Sequence, residues 1–323
     1  MRPPAFWQAR PGHPTARLLA PLSALYGHLG ARRMDRPGAK APCPVVCLGN
    51  FTLGGAGKTP AALAIAAILR DLGAEPAFLS RGYGGGLAGP VVVTPGAHGA
   101  ADVGDEPLLL ARLAPTVVAR DRPAGAALCA RQGATVIVMD DGLQNPSLAK
   151  DLAFAVVDGT AGIGNGRTFP AGPLRVPMAR QWPHVAGVIV VGGGEAGEAV
   201  AEAAHGRALP VHRARLVPDP GDLAGRRCLA FAGIGRPSKF FASLEETGAI
   251  LAGTRAFADH HPYRPADLAA LAAGAHRLGA ILVTTEKDAV RLPPDFAARV
   301  AVLRVRLAFA DADAVRAQIA EVM

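Results

Sequence analysis

Short apolar runs alternate along this chain with longer stretches whose apolar residues recur at three- and four-residue spacing. The runs lie at 44–48, 76–80, 116–119, 135–139, 152–157 and 185–191, with a further candidate at 91–94. Each is too short for a buried helix, and most are rich in β-branched residues, so they read as strands covered on both faces. Helical spacing fills the intervals near 60–72, 108–113 and 124–132. Around 208–225 the pattern loosens, with Pro210, Pro218 and Pro220. It then resumes as a strand at 228–232, helices at 238–248 and 265–278, strands at 280–284 and 300–305, and a terminal helix. Such alternation predicts an α/β protein with a mostly parallel sheet, helices on both faces, and ligands gathered at the carboxyl ends of the strands. The expected organisation is a first domain over 37–207, a linker over 208–226, and a second, smaller α/β domain over 227–323 that closes a cleft. Residues 1–36 form a basic amphipathic segment belonging to the first domain.

Composition agrees. The chain has 323 residues, half of them hydrophobic and 19% charged, enough for two domains with proper cores. Its 39 glycines and 28 prolines are scattered, with no low-complexity tract and no repeat. Lys plus Arg exceeds Asp plus Glu, 34 against 26, for a net charge of +8. That balance admits nucleic acid, an anionic membrane face or an anionic substrate. Few aromatics and no dense basic run weigh against nucleic acid. The four cysteines, at 43, 47, 129 and 228, lack metal or redox spacing and read as reduced, mostly buried thiols.

Near the N-terminus, Leu18, Leu19, Leu22, Leu25, Tyr26 and Leu29 fall at helical spacing. Arg10 and Arg17 precede them, and Arg32, Arg33 and Arg36 follow. The stretch is too short to span a bilayer and Pro21 interrupts it. An apolar stripe between arginines suits a helix lying in an anionic membrane interface. It equally suits a helix packed on the domain.

The chemistry concentrates first at Gly54-Gly55-Ala56-Gly57-Lys58-Thr59, directly after the strand at 44–48. Glycines let successive backbone N–H groups turn inward around phosphate oxygens. Lys58 is placed to reach the outer phosphates, and Thr59 to offer its hydroxyl to Mg²⁺. The next helix aims its positive dipole end at the same anion, and Pro60 suits its first turn. Thr52 stands where the usual pattern has its first glycine, but the strand–loop–helix context is right for a nucleoside triphosphate site. With Leu53 and Ala56, the cofactor-binding segment is 52–59.

Asp140 and Asp141 end an apolar strand, where a carboxylate of a phosphate-loop enzyme holds Mg²⁺ directly or through water. Asp105, in Gly104-Asp105-Glu106-Pro107, sits at the mouth of a helix, either as a cap or as a group that orients an attacking hydroxyl. Asp259-His260-His261 offers a histidine held by an aspartate, or an ordinary surface loop.

Taken in order, these residues resemble the tetraacyldisaccharide 4'-kinase family of lipid A biosynthesis. The resemblance rests on Gly49-Asn50-Phe51-Thr52 leading into the 54–60 loop, Ser80-Arg81-Gly82-Tyr83-Gly84, Gly104-Asp105-Glu106-Pro107, and Asp140-Asp141-Gly142-Leu143-Gln144. It continues through Pro170-Ala171-Gly172-Pro173-Leu174-Arg175, 231–237, Asp259-His260 and Thr284-Thr285-Glu286-Lys287-Asp288. It implies a P-loop NTPase-like fold and transfer of the γ-phosphate of ATP to the 4'-hydroxyl of a tetraacylated glucosamine disaccharide 1-phosphate, giving lipid IVA. It also implies Mg²⁺ and a monomer held peripherally on the cytoplasmic face of the inner membrane. By motif, Lys58 and Thr59 serve nucleotide and metal, and Asp140 and Asp141 the metal. Asp105 would be the catalytic base, assisted by His260. Arg81, Glu106, Gln144 and Arg175 would line the site, while Glu286, Lys287 and Asp288 look structural or cleft-forming. An acylated substrate has to be met at the bilayer, which favours the membrane reading of the N-terminal helix.

Two departures stand out. The family usually has Glu-Pro after the Leu-Arg, where this chain has Val176-Pro177, and Phe and His around the Gln, where it has Leu143 and Asn145. Both bear on local substrate contacts. The competing readings are a partition-type ATPase and a small-molecule kinase or amide ligase. The first places lysine before its glycine pair, where Leu53 stands here. The second gives no reason for a basic amphipathic N-terminus.

Overall fold

The computed structural model describes residues 4–9 and 12–323, so Arg10 lies outside it. The strands are β1 Val45–Gly49, β2 Pro76–Ser80, β3 Val91–Val92, β4 Thr116–Val118, β5 Val136–Asp140, β6 Leu152–Asp158, β7 Gly187–Val191, β8 Val211–Asp219, β9 Arg227–Ala232, β10 Ile250–Ala256, β11 Ile281–Thr285 and β12 Val300–Phe309. They join in one sheet of order β10-β9-β11-β12-β8-β7-β6-β1-β5-β2-β4-β3. Neighbours are parallel except for the β12–β8 and β3–β4 pairs.

β1 lies between β5 and β6, and all five of its residues are buried. Side chains alternate across a strand, so Val45 and Cys47 enter one core while Val46 and Leu48 enter the other. The first core receives Met34, Ala126 and Val200 from the helices Ala20–Met34, Arg122–Arg131 and Glu195–His205. The second receives Ile65 and Leu69 from the helix Lys58–Asp71, and Val315 and Ile319 from the last helix, Ala312–Ala320. Both faces of the sheet are therefore covered, as the runs of β-branched residues required. Cys47, Cys129 and Cys228 are buried free thiols, and burial pushes the first up to about 11 and the second to about 12.

The segment 208–226, expected as a linker, is instead structured. Val211–Asp219 is β8, parallel to β7 on one side and antiparallel to β12 on the other. Its partly exposed alternation between prolines hid it. β12 spans the two halves: Leu303 and the residues before it pair with β11, and Arg304–Phe309 with β8. The last helix then packs on the phosphate-loop side of the molecule, so the chain beyond Leu303 belongs with the first half. β10 also escaped the sequence reading, because this edge strand carries Gly253 at a register shift and is largely exposed.

At the N-terminus Pro21 does interrupt, giving a short helix Pro14–Leu18 and then Ala20–Met34. Ser23, Gly27, Ala31 and Met34 face the body of the protein, and the Ser23 hydroxyl donates to the Thr168 carbonyl at 2.6 Å. Leu22, Leu25 and Leu29, 57–59% exposed, point the other way beside the 80% exposed Leu18. One helix thus both packs and shows an apolar face. Among the described residues no helix is long and apolar enough to cross a membrane.

Candidate active site

The phosphate loop leaves β1 at Gly49 and enters the helix Lys58–Asp71 through Gly57, whose φ of +88° only glycine adopts without strain. Nothing lies within 4 Å of where side chains on Gly54 or Gly55 would begin, so the loop faces open space that an anion can enter. The loop is braced from behind. The Asn50 side-chain amide donates to the Gly54 carbonyl at 3.1 Å, and its oxygen accepts from Lys58 Nζ at 3.3 Å. Thr52 pairs with Leu174 and the Leu53 N–H donates to the Pro173 carbonyl at 2.7 Å, tying the loop to the Pro170–Arg175 motif.

At the end of neighbouring β5 stand Asp140 and Asp141. Asp141 adopts a left-handed φ of +53° and accepts an Arg175 Nη2 hydrogen bond at 3.0 Å, with Lys58 Nζ at 3.6 Å. Burial pushes its pKa up, but Lys58 and Arg175 hold it below the ordinary carboxylate range. Asp140 is different. It is 1% exposed, and neither carboxylate oxygen has a hydrogen-bond partner. Burial first, then the negative charge of Glu106, pushes its pKa up to about 7.

Across from this pair, Asp105 opens the helix Asp105–Leu110 and is 3% exposed. His260 Nδ1 lies 3.0 Å from its Oδ2, with Arg291 Nε at 3.6 Å and Lys287 Nζ at 4.0 Å. Burial raises the Asp105 pKa, yet His260, Lys287 and Arg291 together bring it below the usual value. His260 is held at a left-handed φ of +57° by its N–H donating to the Gly233 carbonyl at 3.0 Å, and the Tyr83 ring meets it edge-on at 5.6 Å. Lys287 bridges Glu106, at 3.2 Å, and His260 Nε2, at 3.4 Å. Burial lowers the Lys287 pKa, but Glu106, Asp105 and Asp259 raise it further and keep the ammonium charged.

The structure thus brings Lys58, Thr59, Asp140, Asp141, Glu106, Asp105 and His260 to one cleft at the carboxyl ends of the strands. Gln144 and Arg175 line it by positioning backbone: Gln144 donates to the Asn50 carbonyl at 2.8 Å, and Arg175 Nε to the Thr52 carbonyl at 3.0 Å. Arg81 is exposed and makes no hydrogen bond or ion pair among the described residues; its charge is felt by Arg122. Of the Glu-Lys-Asp motif, only Lys287 reaches Asp105. Asp288, fully buried, accepts from the Gly233 N–H, the Tyr263 hydroxyl, Thr285 Oγ1 and Arg291 Nη2, and so fixes the loop that carries His260. Glu286 pairs with Arg112 at 3.5 Å.

Four residues at this cleft escaped sequence reasoning. Gln181, fully buried, accepts from Gln144 and donates to the Phe51 carbonyl at 3.2 Å. Arg122, 1% exposed, leaves Nε unpartnered while its charge acts on both Asp140 and Asp141. Tyr83 and Arg291 complete the surroundings of His260 and Asp105. Tyr83 stood within a quoted motif without a role; the other three belong to no local pattern. The departures at 143 and 176 also resolve: Leu143 and Val176 lie in the core, Val176 packing against Gly30 of the N-terminal helix.

The loop, its flanking β5 carboxylates and the doubly covered parallel sheet define a P-loop NTPase-like α/β protein, with a second cluster of titratable side chains around Asp105 whose neighbour Glu106 is felt at Asp140. The Tetraacyldisaccharide-1-P 4'-kinase family model matches residues 15–323, and the chain belongs to that family. A tetraacyldisaccharide 4'-kinase from Methylobacterium radiotolerans is 74% identical over 99% of this chain and 98% of its own length. One from Nitrobacter winogradskyi is 53% identical over 98% and 96%. Among solved structures, an LpxK from Aquifex aeolicus in complex with ATP covers 95% of this chain and 99% of its own, with a TM-score of 0.73 and 24% identity, a likeness of fold.

Proposed function

We propose that this chain is a lipid kinase that transfers the γ-phosphate of ATP to the 4'-hydroxyl of tetraacyldisaccharide 1-phosphate, forming lipid IVA. The observation that carries the reading is the Asp105–His260 pair held at 3.0 Å beside a carboxylate, Glu106, whose charge is felt at the phosphate-loop aspartate Asp140. A sugar hydroxyl is a weak nucleophile, so phosphoryl transfer to it depends on a positioned base more than on a covalent step. Asp105 stays ionised because His260, Arg291 and Lys287 surround it, and is the group that takes the hydroxyl proton. His260, touching it through Nδ1, orients it, and the proton taken up leaves Asp105 as a neutral carboxylic acid.

ATP binds with its phosphates in the 52–59 loop, where open glycine backbone faces the helix N-terminus and Lys58 faces the outer phosphates. Asp141 and Asn50 hold the Lys58 ammonium, at 3.6 and 3.3 Å, until the phosphates take it over. Asp140, a buried carboxylate with both oxygens unpartnered, together with Asp141 Oδ1, which makes no hydrogen bond but pairs with Lys58, and the Thr59 hydroxyl, fits Mg²⁺. Mg²⁺ there supplies charge neutralisation on the phosphate oxygens. No group of three or more His, Cys, Asp or Glu side chains suited to a metal occurs among the described residues.

The exposed leucine face of the helix Ala20–Met34, followed by Arg32, Arg33 and Arg36, supports peripheral contact with an anionic inner-membrane leaflet from the cytoplasmic side. The deciding experiment follows ³²P from γ-labelled ATP into tetraacyldisaccharide 1-phosphate in mixed micelles with Mg²⁺. A labelled, more anionic lipid that vanishes with Lys58→Ala is expected; unlabelled lipid from active-fold protein would overturn the assignment.

A further inference from the structure

We propose that Lys287 is the positioning residue of the proton-transfer pair: its ammonium occupies Nε2 of His260 and so fixes the imidazole as a neutral Nδ1–H donor to Asp105. The inference deepens the kinase reading above and rests on it for its kinetic consequence. The two ring nitrogens of His260 face opposite demands. Nδ1 lies 3.0 Å from Asp105 Oδ2, an oxygen with no other hydrogen-bond donor on it. The other carboxylate oxygen, Oδ1, is taken by the Glu106 N–H at 3.0 Å. Nε2 lies 3.4 Å from Lys287 Nζ. An ammonium has three donors and no acceptor, so Nε2 meets it only as a lone pair. A neutral imidazole with a bare Nε2 carries its proton on Nδ1, where it points at the carboxylate. The opposite tautomer sets an N–H against the ammonium and a bare Nδ1 against a carboxylate oxygen. Its one gain is Asp259 Oδ1, 3.9 Å from Nε2 and beyond hydrogen-bond reach. A doubly protonated ring keeps the contact with Asp105 but still points an N–H at Lys287.

The ammonium is held in place from its own side. Glu106 Oε1 accepts from it at 3.2 Å, and Asp105 Oδ2 lies 4.0 Å away. Lys287 belongs to the short helix Glu286–Ala289, capped by the Thr285 hydroxyl, which accepts the Asp288 N–H at 3.0 Å. Asp288, the next residue, accepts the Gly233 N–H at 2.8 Å, and the Gly233 carbonyl accepts the His260 N–H at 3.0 Å. One element thus carries both the cation that selects the tautomer and the carboxylate that anchors the backbone of the ring. The remaining charged and titratable neighbours leave Nε2 to Lys287. Arg291 Nε lies 3.6 Å from Asp105 Oδ2, His261 Nε2 is engaged by Asp267 at 3.0 Å, and Tyr83 meets the ring edge-on. With Nδ1–H directed at Oδ2, Asp105 keeps a second lone pair there for the sugar hydroxyl. The O–H bond of the acceptor breaks toward that oxygen as the new O–P bond forms and ADP leaves. Asp105 ends as the neutral acid, and His260 keeps the single proton with which it began.

The test reads the tautomer and the kinetics separately. Full-length protein labelled with ¹⁵N-histidine is examined without nucleotide by long-range ¹H–¹⁵N correlation, the His260 signals being assigned by their loss in His260→Gln. At pH 8 the wild type is expected to show a protonated Nδ1 and a bare Nε2. Lys287→Met, which keeps the side-chain length and removes the cation, should lose that preference and populate Nε2–H. Its kcat should fall by about 10- to 100-fold with KM for ATP near that of wild type. The fall should be larger at pH 6 than at pH 8, because the freed Nε2 takes up a proton as an ordinary imidazole does. Lys287→Arg again offers only donors, and should keep Nδ1–H and recover part of kcat. A wild type with Nε2–H at pH 8 would overturn the assignment, and that spectrum needs no variant to fold. So would a Lys287→Met spectrum like that of wild type with equal losses at both pH values, which would make Lys287 structural. A defect confined to KM for ATP would overturn it too, by making Lys287 a nucleotide contact. Absence of any transfer by wild-type protein whose His260 still shows Nδ1–H would overturn the kinase reading and leave the tautomer assignment standing.

Discussion

Asp140 and Asp105 are both buried carboxylates at one cleft, yet they are treated in opposite ways. Asp140 has no hydrogen-bond partner and a pKa pushed up to about 7 by burial and by Glu106. Asp105 is just as deeply placed, but His260, Lys287 and Arg291 stand within 4.0 Å of its Oδ2 and its pKa falls below the usual value. A buried charge costs several kcal/mol unless it is compensated. Compensation of Asp105 is written into the chain, by His260, Lys287 and Arg291. For Asp140 the chain supplies only Lys58 and Arg122, and neither makes a hydrogen bond to it. In the proposed reading, the side that would hold Mg²⁺ lacks partners within the fold, while the side assigned to proton transfer is preassembled.

The largest expected effect tests the preassembled side. Asp105→Asn keeps the shape but removes the base, and should lower kcat by about 10²- to 10⁴-fold while leaving the ATP dissociation constant near that of wild type. Single-turnover kinetics with saturating lipid measures it; an unchanged rate would reduce Asp105 to a helix cap.

Next comes the scaffold beneath it. Asp288→Asn leaves the Arg291 guanidinium, 7% exposed in its side chain, without its 2.7 Å carboxylate. Breaking such a buried pair costs roughly 3–5 kcal/mol. Urea unfolding should show that loss, accompanied by weaker activity because the His260 loop loses its anchor. A stability within 1 kcal/mol of wild type (about the error of the extrapolation) would mean that Gly233 and Tyr263 hold the loop without it.

The opposite sign is expected on the metal side. Asp140→Asn should stabilise the ligand-free protein at pH 8, by on the order of 1 kcal/mol, while abolishing Mg²⁺-dependent protection by ATP. The folded pKa of Asp140 lies above its unfolded value, so the native state binds more protons between about pH 4 and pH 7. Its contribution to stability is therefore present below that window and is lost as pH rises through it. Thermal melts of wild type and Asp140→Asn should coincide near pH 4 and separate by pH 8, with the variant higher. A variant melting below wild type at pH 8 without ligand would show that Asp140 is already satisfied within the fold.

How much of this was legible in sequence follows the same division. The phosphate loop, Asp140, Asp141 and Asp105 each sit in a local motif whose strand–turn–helix setting is readable from one stretch of chain. Arg291, Arg122 and Gln181 act on those residues from distant positions, and only the packing of the helices brings them near. Gln181 lies 37 residues from the Gln144 it meets. Likewise the central strands announce themselves by continuous β-branched runs, whereas β8 and β10 do not. β8 has mixed burial between prolines and β10 is a half-exposed edge, so neither needs an apolar run. The phosphate-loop half and the helix Ala312–Ala320 share a core, although almost the whole second half of the chain separates them in sequence.

The smallest effect concerns the contact that joins the halves near the phosphate loop. Asp158, at the end of β6, accepts from the Thr160 and Ala161 N–H groups, both at 3.0 Å. Arg236 and Lys239, from the segment after β9, reach it at 3.0 and 2.7 Å. Burial raises its pKa, but Lys239 and then Arg236 outweigh that and hold it below the usual value. The folded pKa lies under the unfolded one, so this contact stabilises above about pH 4 and is lost as pH falls through the folded value. The arginine and lysine are 37% and 47% exposed, which screens the pair and limits it to about 1 kcal/mol or less. Arg236→Gln/Lys239→Gln should therefore lower stability by that amount at pH 7 in low salt, and by nothing measurable near pH 2. The difference should also shrink as ionic strength rises. The Asp105 cluster titrates in the same direction but is far more enclosed, so its contribution should resist salt. If both respond equally to salt, the two clusters are equally open to solvent, and the contrast between a preassembled cluster and a screened contact fails.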